Sequence, residues 1–210
     1  MPNFNLEQEH NGYIAGIDEV GRGPLAGPVV AAAVIFLTYN VSYINDLQDS
    51  KKLTAKKREQ LYLKLTSDKN ICYNFAIIDA KEVDQLNIFN ATKKAMSNAI
   101  NRLEIKPNHY LVDGNHKMLN KENVTPVVKG DNISNSIAAA SIIAKVIRDK
   151  IMYDLAQEYP QYDWHSNSGY GTKAHLNAIE KHGITLHHRK SFAPVKNNLA
   201  NYKIILPKIA

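Results

Sequence analysis

The sequence predicts an α/β layered fold with a mixed β-sheet, and two patterns along the chain predict it. Apolar segments typical of strands come first, and further strand segments then alternate with segments of helical periodicity. Alternation of this kind is typical of a sheet covered by helices. With 210 residues, the chain is long enough for one domain with a substantial core, and a second full domain is not expected.

Five segments have the composition of β-strands. In chain order they are residues 13–18, 28–37, 71–78, 109–113 and 124–129. A glycine-rich stretch separates the first two strands. Alternation in the third strand predicts that one face is half-buried, and this face carries Ile71, Tyr73, Phe75 and Ile77. Pro126 cannot donate a hydrogen bond to a neighbouring strand, so the fifth strand is predicted at an edge.

Four segments are predicted to be helices. They are residues 54–65, 91–103, 137–155 and 173–182. Thr54 and Thr172 are the predicted N-caps of the first and the last helix, and Gly183 is predicted to end the last. The third helix is the most clearly periodic, and it stops before Pro160. Its small residues, IAAAS, would let it approach the sheet closely.

The excess positive charge lies near the C-terminus. Residues 164–210 contain seven Lys and Arg against one acidic residue, whereas residues 1–163 contain nineteen of each. The segment includes the basic run His187, His188, Arg189 and Lys190. Clustered cations gain affinity for nucleic acid by releasing counterions. A nucleic-acid partner is therefore one interpretation, and a solvated basic surface without a partner is the other.

Several classes of protein are disfavoured. The longest apolar run, residues 28–37, is too short to span a bilayer, and the N-terminus lacks a secretory signal pattern. A cytoplasmic location without membrane contact is expected. Cys72 is the single cysteine, which excludes an internal disulfide and a thiolate-rich zinc site. The absence of an HExxH pattern argues against a zinc hydrolase.

Four acidic residues stand at the ends of buried segments. Asp18 and Glu19 follow the apolar segment YIAGI, Asp113 follows HYLV, and Asp131 precedes the long helix. Burying an unpaired carboxylate is costly, so acids in such places need compensation. Divalent cations supply it, since Mg²⁺ prefers hard oxygen ligands. Four converging acids could hold two ions, which stabilise the attacking and the leaving oxygen of phosphoryl transfer.

Structural roles for the same acids remain open at this point. Asp18 could pair with Arg22, Asp113 could begin a turn, and Asp131 could cap the long helix. A geometric condition also applies, because consecutive residues of a regular strand point to opposite faces. Asp18 and Glu19 can share one site only if the strand ends or bulges between them, and the glycines at 21 and 23 favour such a break.

Six sequence blocks resemble those of the ribonuclease HII family, in the family's order. They are GIDEVGRGPLAGPVVAAAV at 16–34, DSKKL at 49–53, VDG at 112–114, SIAAASIIAKVIRDKIM at 136–152, GYGT at 169–172 and HRKSFAPV at 188–195. The resemblance implies an α/β fold of the RNase H-like type, with a central five-stranded mixed sheet flanked by helices and a helical C-terminal extension. It implies a single ribonuclease domain over residues 1–210, with a catalytic core at about 12–160 and a substrate-gripping portion at about 161–210.

The resemblance also implies an activity. The family cleaves on the 5′ side of a ribonucleotide in hybrid or DNA duplexes, leaving a 3′-hydroxyl and a 5′-phosphate. By motif, Asp18, Glu19, Asp113 and Asp131 would be the catalytic acids and would ligate two Mg²⁺ or Mn²⁺ ions. The expected partner is nucleic acid, and a monomer is expected.

Residues that bind the substrate follow from the same motifs. Gly21, Arg22 and Gly23 would recognise the ribose 2′-hydroxyl, largely through backbone groups, and Tyr170 would contact the sugar. Four basic residues are candidate phosphate contacts, namely Lys51, Lys52, Lys145 and Arg148. The chain departs from the family at Asn167 and Ser168, where His-Lys is usual, so one basic contact near Tyr170 is expected to be missing.

Two other functions fit part of the pattern. A different RNase H-like nuclease that acts on DNA, such as a junction resolvase, would share the acids but would not need the ribose-sensing residues. A non-catalytic nucleic-acid-binding module would explain the basic C-terminal segment. A panel of substrates separates the first from the predicted activity, and cleavage that requires Mg²⁺ separates the second.

Overall fold

The computed structural model describes residues 1–115 and 118–206, and a five-stranded sheet organises the chain. The strands are β1 (Ile14–Val20), β2 (Val29–Phe36), β3 (Ile71–Ile78), β4 (His109–Asp113) and β5 (Val124–Val127). They lie in the order β3-β2-β1-β4-β5. Strand β1 is antiparallel to β2 and parallel to β4, and β4 is parallel to β5. The predicted mixed sheet of five strands is confirmed, and β5 lies at its edge as predicted.

Seven α-helices accompany the sheet in the described part of the chain. They are α1 (Asn5–Gln8), α2 (Ala55–Ser67), α3 (Ala80–Leu86), α4 (Ile88–Asn101), α5 (Asn135–Glu158), α6 (Trp164–Asn167) and α7 (Lys173–His182). Short 3₁₀ turns occupy Ile44–Asp46, Gly130–Asn132, Pro160–Tyr162 and Lys196–Asn201. Two further strands, β6 (Ile184–Thr185) and β7 (Ile204–Ile205), form a small parallel pair. None of the described helices is long and apolar enough to cross a membrane.

Both predicted N-caps are confirmed. The Thr54 side chain accepts from the Lys57 amide at 3.2 Å, and the Thr172 side chain accepts from the His175 amide at 3.3 Å. Helix α3 was not predicted, although its start carries a readable signal. Asp79 accepts from the amide three residues later at 2.8 Å, in a D-x-x-E pattern that resembles a capping box.

The described chain forms two compact units. The first unit comprises residues 1–20, 30–76 and 93–146, and the second comprises residues 21–29, 77–92 and 147–206. In the first unit, helix α5 begins against β1 at Gly16, where a Cβ atom would collide with the backbone of Ser136 and Ile137. The close approach predicted from the small residues of α5 is therefore present. In the second unit a separate core surrounds Trp164, Tyr162 and Met152.

The predicted buried face of β3 is wrong at its C-terminal end. Ala76 and Ile78 are buried, whereas Ile77 is 44% exposed. The prediction assigned the larger apolar residues to the buried face, but at this end of the strand the small Ala76 faces inward and the larger Ile77 does not. Cys72 lies within this strand and is half-buried.

Candidate active site

Asp18 lies near the end of β1, in the first unit, and its side chain is only 6% exposed. Its Oδ1 accepts from the Glu19 amide at 2.7 Å, and the Ser141 hydroxyl donates to the same carboxylate. Ser141 is 2.8 Å from the hydroxyl of Ser50. Burial raises the pKa of Asp18 well above its usual value, and the negative charges of Glu19 and Asp113 raise it further.

The strand does not break between Asp18 and Glu19. Asp18 pairs with Ala32, Glu19 with Ala31, and the register continues unchanged through Val20. The two side chains therefore leave opposite faces of β1, and the predicted break falls later, at Gly21, which has a φ of +94°. The negative charge of Glu19 nevertheless contributes to the raised pKa of Asp18, after the larger effect of burial.

Asp113 ends β4 and is tied to a distant turn. Its Oδ1 accepts from the Gly130 amide at 2.7 Å. A Cβ atom at Gly130 would lie 2.6 Å from Ile137 Cδ1 and 3.3 Å from this same carboxylate oxygen, so a larger residue here would require the Ile137 side chain to shift. The bond joins residues 17 positions apart, which is not the local turn considered from the sequence.

Asp131 follows Gly130 within the same 3₁₀ turn and is 8% exposed. Burial raises its pKa, and the nearby carboxylates of Asp49 and Asp113 raise it further. Asp113 thus interacts with Asp18 on one side and with Asp131 on the other. The three acids form one electrostatically connected group in the first unit.

Asp131 is not the cap of the long helix. Helix α5 begins at Asn135, and the Ser134 hydroxyl accepts from the Ile137 amide at 3.2 Å. Ser134 therefore takes the capping position, and Asp131 lies in the preceding turn. The Asp131 carboxylate therefore does not stabilise the N-terminus of α5.

Asp49 belongs to the same acidic group and was missed by the sequence analysis. It lies in the DSKKL block, in which only the lysines were considered. Asn132 donates to Asp131 Oδ1 at 2.8 Å, contacts the Asp49 carboxylate at 3.5 Å, and accepts from the ammonium of Lys52. Lys51 and Lys52 are both exposed, and Lys52 has a partner beside the acids.

The chemistry of this group suits a divalent cation. Its donors are carboxylate oxygens, and burial without a compensating cation raises the pKa of both Asp18 and Asp131. Among residues 1–115 and 118–206, however, no three His, Cys, Asp or Glu side chains are placed so that they could hold an ion together. The electrostatics of this group therefore favour a cation, but the carboxylates are not arranged with the geometry of a metal site.

The second unit contains the residues predicted to sense ribose. Gly21 is buried, Arg22 and Gly23 are exposed, and the Tyr170 side chain is 50% exposed. A Cβ atom at Gly23 would lie 3.4 Å from Tyr170 Cε1, so the aromatic ring borders the glycine backbone. The segment 21–23 and Tyr170 are therefore neighbours, although 147 positions separate Gly23 from Tyr170 in the sequence.

A buried arginine holds the glycine-rich segment in place. Arg189 is fully buried, and its guanidinium donates to the carbonyl of Gly21 at 2.6 Å, to that of Arg22 at 2.9 Å and to that of Gly27 at 2.8 and 3.1 Å. Burial lowers the pKa of Arg189 to about 9, so the side chain stays charged at neutral pH. The His188 side chain is also buried. The basic run therefore turns two of its members inward, where they cannot contact a nucleic acid.

Arg148 corrects a second prediction. It was a candidate phosphate contact, but the structure leaves it 1% exposed. Its three guanidinium nitrogens donate to the carbonyls of Pro28, Ser168 and Ala26 at 2.9, 3.0 and 3.2 Å. Every nitrogen is occupied by the backbone, because the loops around it need buried donors. Arg148 supports the same glycine-rich segment as Arg189.

The two residues that depart from the family pattern shape the loop before Tyr170. The Asn167 amide donates to the Tyr162 carbonyl at 2.7 Å, and its Oδ1 accepts from the Gly169 amide at 2.8 Å. Ser168 adopts a left-handed conformation with a φ of +49°. Both residues have a structural part in this chain.

Solved structures with this fold belong to one class of enzyme. The ribonuclease H2 of Pyrococcus horikoshii matches with a TM-score of 0.77 and 28% identity, over 90% of this chain and 98% of that one. A ribonuclease HIII, "Bst-RNase HIII in complex with Mn2+", matches in fold with a TM-score of 0.66 and 19% identity, over 94% of this chain and 72% of that one. The class is that of the RNase H-like nucleases.

The sequence comparisons define the family within that class. The family model "Ribonuclease HII" matches residues 15–195. A ribonuclease HII of Wolbachia sp. subsp. Brugia malayi is 50% identical over 197 residues, which cover 94% of this chain and 96% of that protein. The chain belongs to the ribonuclease HII family and is an endonuclease of the ribonuclease H type.

Proposed function

We propose that this enzyme hydrolyses the phosphodiester on the 5′ side of ribonucleotides, in RNA–DNA hybrids and in DNA with embedded ribonucleotides. The products would carry a 3′-hydroxyl and a 5′-phosphate. The observation that carries the proposal is the connected acidic group, in which Asp113 acts on both Asp18 and Asp131. Such a concentration of buried negative charge is costly unless a cation is bound there during catalysis.

Four acids would hold the metal, namely Asp18, Glu19, Asp113 and Asp131. Because Glu19 leaves the opposite face of β1 from Asp18, it would join the other three only if the end of β1 bends when the metal binds. When bound, two Mg²⁺ or Mn²⁺ ions would supply an activated water and would neutralise the departing 3′ oxygen. The protein fixes individual carboxylate oxygens in advance, since the Ser141 hydroxyl holds Asp18 and the Gly130 amide holds Asp113. The presence of Mn²⁺ in a ribonuclease HIII of this fold agrees with the choice of ion.

Recognition of ribose is assigned to Gly21, Arg22, Gly23 and Tyr170. The 2′-hydroxyl is the group that separates RNA from DNA at a single position, so a backbone segment beside an exposed aromatic ring is suited to detect it. The adjacency of Gly23 and Tyr170 supports this assignment. Lys51, Lys52 and Lys145 are proposed phosphate contacts, and the enzyme is proposed to act as a cytoplasmic monomer.

Three duplexes of one sequence test the proposal: all-DNA, DNA with one ribonucleotide, and RNA–DNA hybrid. We expect Mg²⁺-dependent cleavage of the last two, on the 5′ side of the ribonucleotide in the second, and none of the all-DNA duplex. Chelation should stop the reaction. Equal cutting of all three duplexes would instead indicate a DNA nuclease of the same class, and binding without cleavage would indicate a non-catalytic module.

Tyr170→Ala should weaken the cleavage of DNA with a single ribonucleotide more than that of a continuous hybrid. The reason is that one embedded sugar offers a single 2′-hydroxyl, so any loss of contact at that position is uncompensated. We expect kcat on the single-ribonucleotide duplex to fall by about tenfold, the equivalent of about 1.4 kcal/mol. Steady-state kinetics on both substrates measure the effect. Tyr153→Ala, at an exposed tyrosine of α5, is the matched control.

A further inference from the structure

A hydrogen-bonded histidine pair lies buried in the second unit. His175 and His188 are 0% and 1% exposed, and their Nε2 atoms are 3.1 Å apart. Trp164 Nε1 lies 3.0 Å from His175 Nε2. The Tyr162 ring packs edge-on against both imidazoles. No phosphate or solvent can reach these histidines, so the family activity makes no direct use of them.

Two obligate donors, the Thr185 amide and the Trp164 indole, fix the ring protons of both histidines. The Thr185 amide donates to His188 Nδ1 at 2.9 Å, so the proton of a neutral His188 is on Nε2. That proton points to His175 Nε2, whose single lone pair it shares with the N–H of the Trp164 indole. His175 Nε2 is therefore unprotonated, and the proton of His175 is on Nδ1. This tautomer follows from the two donors at opposite ends of the network.

The remaining proton of His175 reaches the candidate ribose-sensing loop. His175 Nδ1 lies 2.9 Å from the carbonyl oxygen of Tyr170 and donates to it. The Thr172 amide donates to the same oxygen at 2.8 Å, and the Tyr170 amide donates to the Asn167 carbonyl at 2.9 Å. The Tyr170 backbone is therefore held on both sides while its ring stays exposed. Of these contacts, only that of His175 comes from a side chain in the buried core.

Burial keeps both histidines neutral, as the network requires. It lowers the pKa of His188 to about 3, and the neighbouring His175 and His187 lower it further. It lowers the pKa of His175 as well. A protonated His175 would turn an Nε2–H towards the Trp164 and His188 donors, so neither of them would have an acceptor there.

We propose that His175 is a positioning residue for ribose recognition: its Nδ1–H orients Tyr170, and His188 and Trp164 hold His175 in the tautomer that can donate. The inference rests on the proposed role of Tyr170 in sensing the sugar. His175 touches no substrate, so its effect must pass through the Tyr170 ring. Substitution of His175 should therefore alter the rate only while that ring is present.

A double-mutant cycle tests this dependence on a DNA duplex with one ribonucleotide. His175→Leu should lower kcat by about tenfold in the otherwise unchanged protein and by less than about twofold in a Tyr170→Ala background. An equal cost in both backgrounds would refute the positioning role. If Tyr170→Ala alone leaves kcat unchanged, the assignment of Tyr170 to ribose recognition fails, and the inference fails with it for a distinguishable reason.

Conservative variants keep the test decisive if His175→Leu does not fold. In His175→Asn the side-chain amide takes the position of Nδ1 and can still donate to Tyr170, whereas in His175→Gln it takes the position of Nε2. We expect the Asn variant to keep at least about half of kcat and the Gln variant to resemble the loss seen with Leu. The reverse order would overturn the proposal.

Tyr162→Phe is the structural control for the same core. It removes one buried hydrogen bond, from Tyr162 Oη to the Gly183 carbonyl at 2.9 Å, without touching the bonds that lead to Tyr170. It should lower thermal stability and leave kcat for the single-ribonucleotide duplex unchanged. A loss of kcat equal to that of His175→Leu would show that general loosening of this core explains both variants.

Discussion

Asp113→Asn should abolish cleavage while binding of the hybrid duplex survives. The substitution removes a charge that acts on both Asp18 and Asp131, yet its amide oxygen can still accept from the Gly130 amide. The turn before α5 therefore stays in place, and only the affinity for the cation falls. We expect kcat to drop on the order of 10³-fold and the Kd for the hybrid to change by less than about threefold. Cleavage kinetics and fluorescence anisotropy measure the two quantities.

The same variant should not be less stable than the unaltered protein. Removing one of several mutually repelling carboxylates relieves a cost that the metal-free enzyme carries for function. A gain of about 1 kcal/mol would raise the thermal midpoint by about 2–4 °C in a chain of this size. Asp154→Asn, at an exposed position of α5, removes a charge elsewhere and should change neither stability nor cleavage. A destabilised Asp113→Asn protein, or one that cleaves normally, contradicts the assignment.

Much of the sheet could be predicted because its strands are mainly apolar or alternating segments bounded by polar residues. The same reasoning located Asp18 and Asp113, since each stands where an apolar run ends. It also located α2 and α7, whose caps are local and can be identified from threonine alone. These features depend on neighbours in sequence, which is why one sequence suffices to find them.

Features that depend on distant partners could not be predicted. Arg148 and Arg189 look like any other cations in the sequence, but each is buried, and backbone carbonyls distant in sequence accept from every nitrogen of its guanidinium. The acid at position 49 was overlooked for the same reason, since its proximity to Asp131 exists only in the fold. Which residues of β3 face the core likewise depends on what packs against each face of the strand.

Arg189→Met should cause the largest loss of stability among the variants considered. Methionine can fill part of the aliphatic volume, but the carbonyls of Gly21, Arg22 and Gly27 then lose their buried donors. Leaving several buried acceptors unsatisfied should lower the free energy of unfolding by roughly 3–5 kcal/mol. Urea unfolding monitored by circular dichroism measures this loss. Arg189→Lys keeps the positive charge but loses the planar guanidinium with its several N–H donors. It should therefore restore only part of the free energy of unfolding that Arg189→Met loses.

Lys190→Met is the matched control, because it removes the adjacent cation of the basic run, whose side chain is not buried. If the run served chiefly as a nucleic-acid contact, Lys190→Met and Arg189→Met would weaken duplex binding alike and would leave stability alone. The buried guanidinium predicts the opposite, a large effect on folding at residue 189 and a small one at residue 190. Equal free energies of unfolding for the two variants would show that Arg189 does not organise the glycine-rich segment.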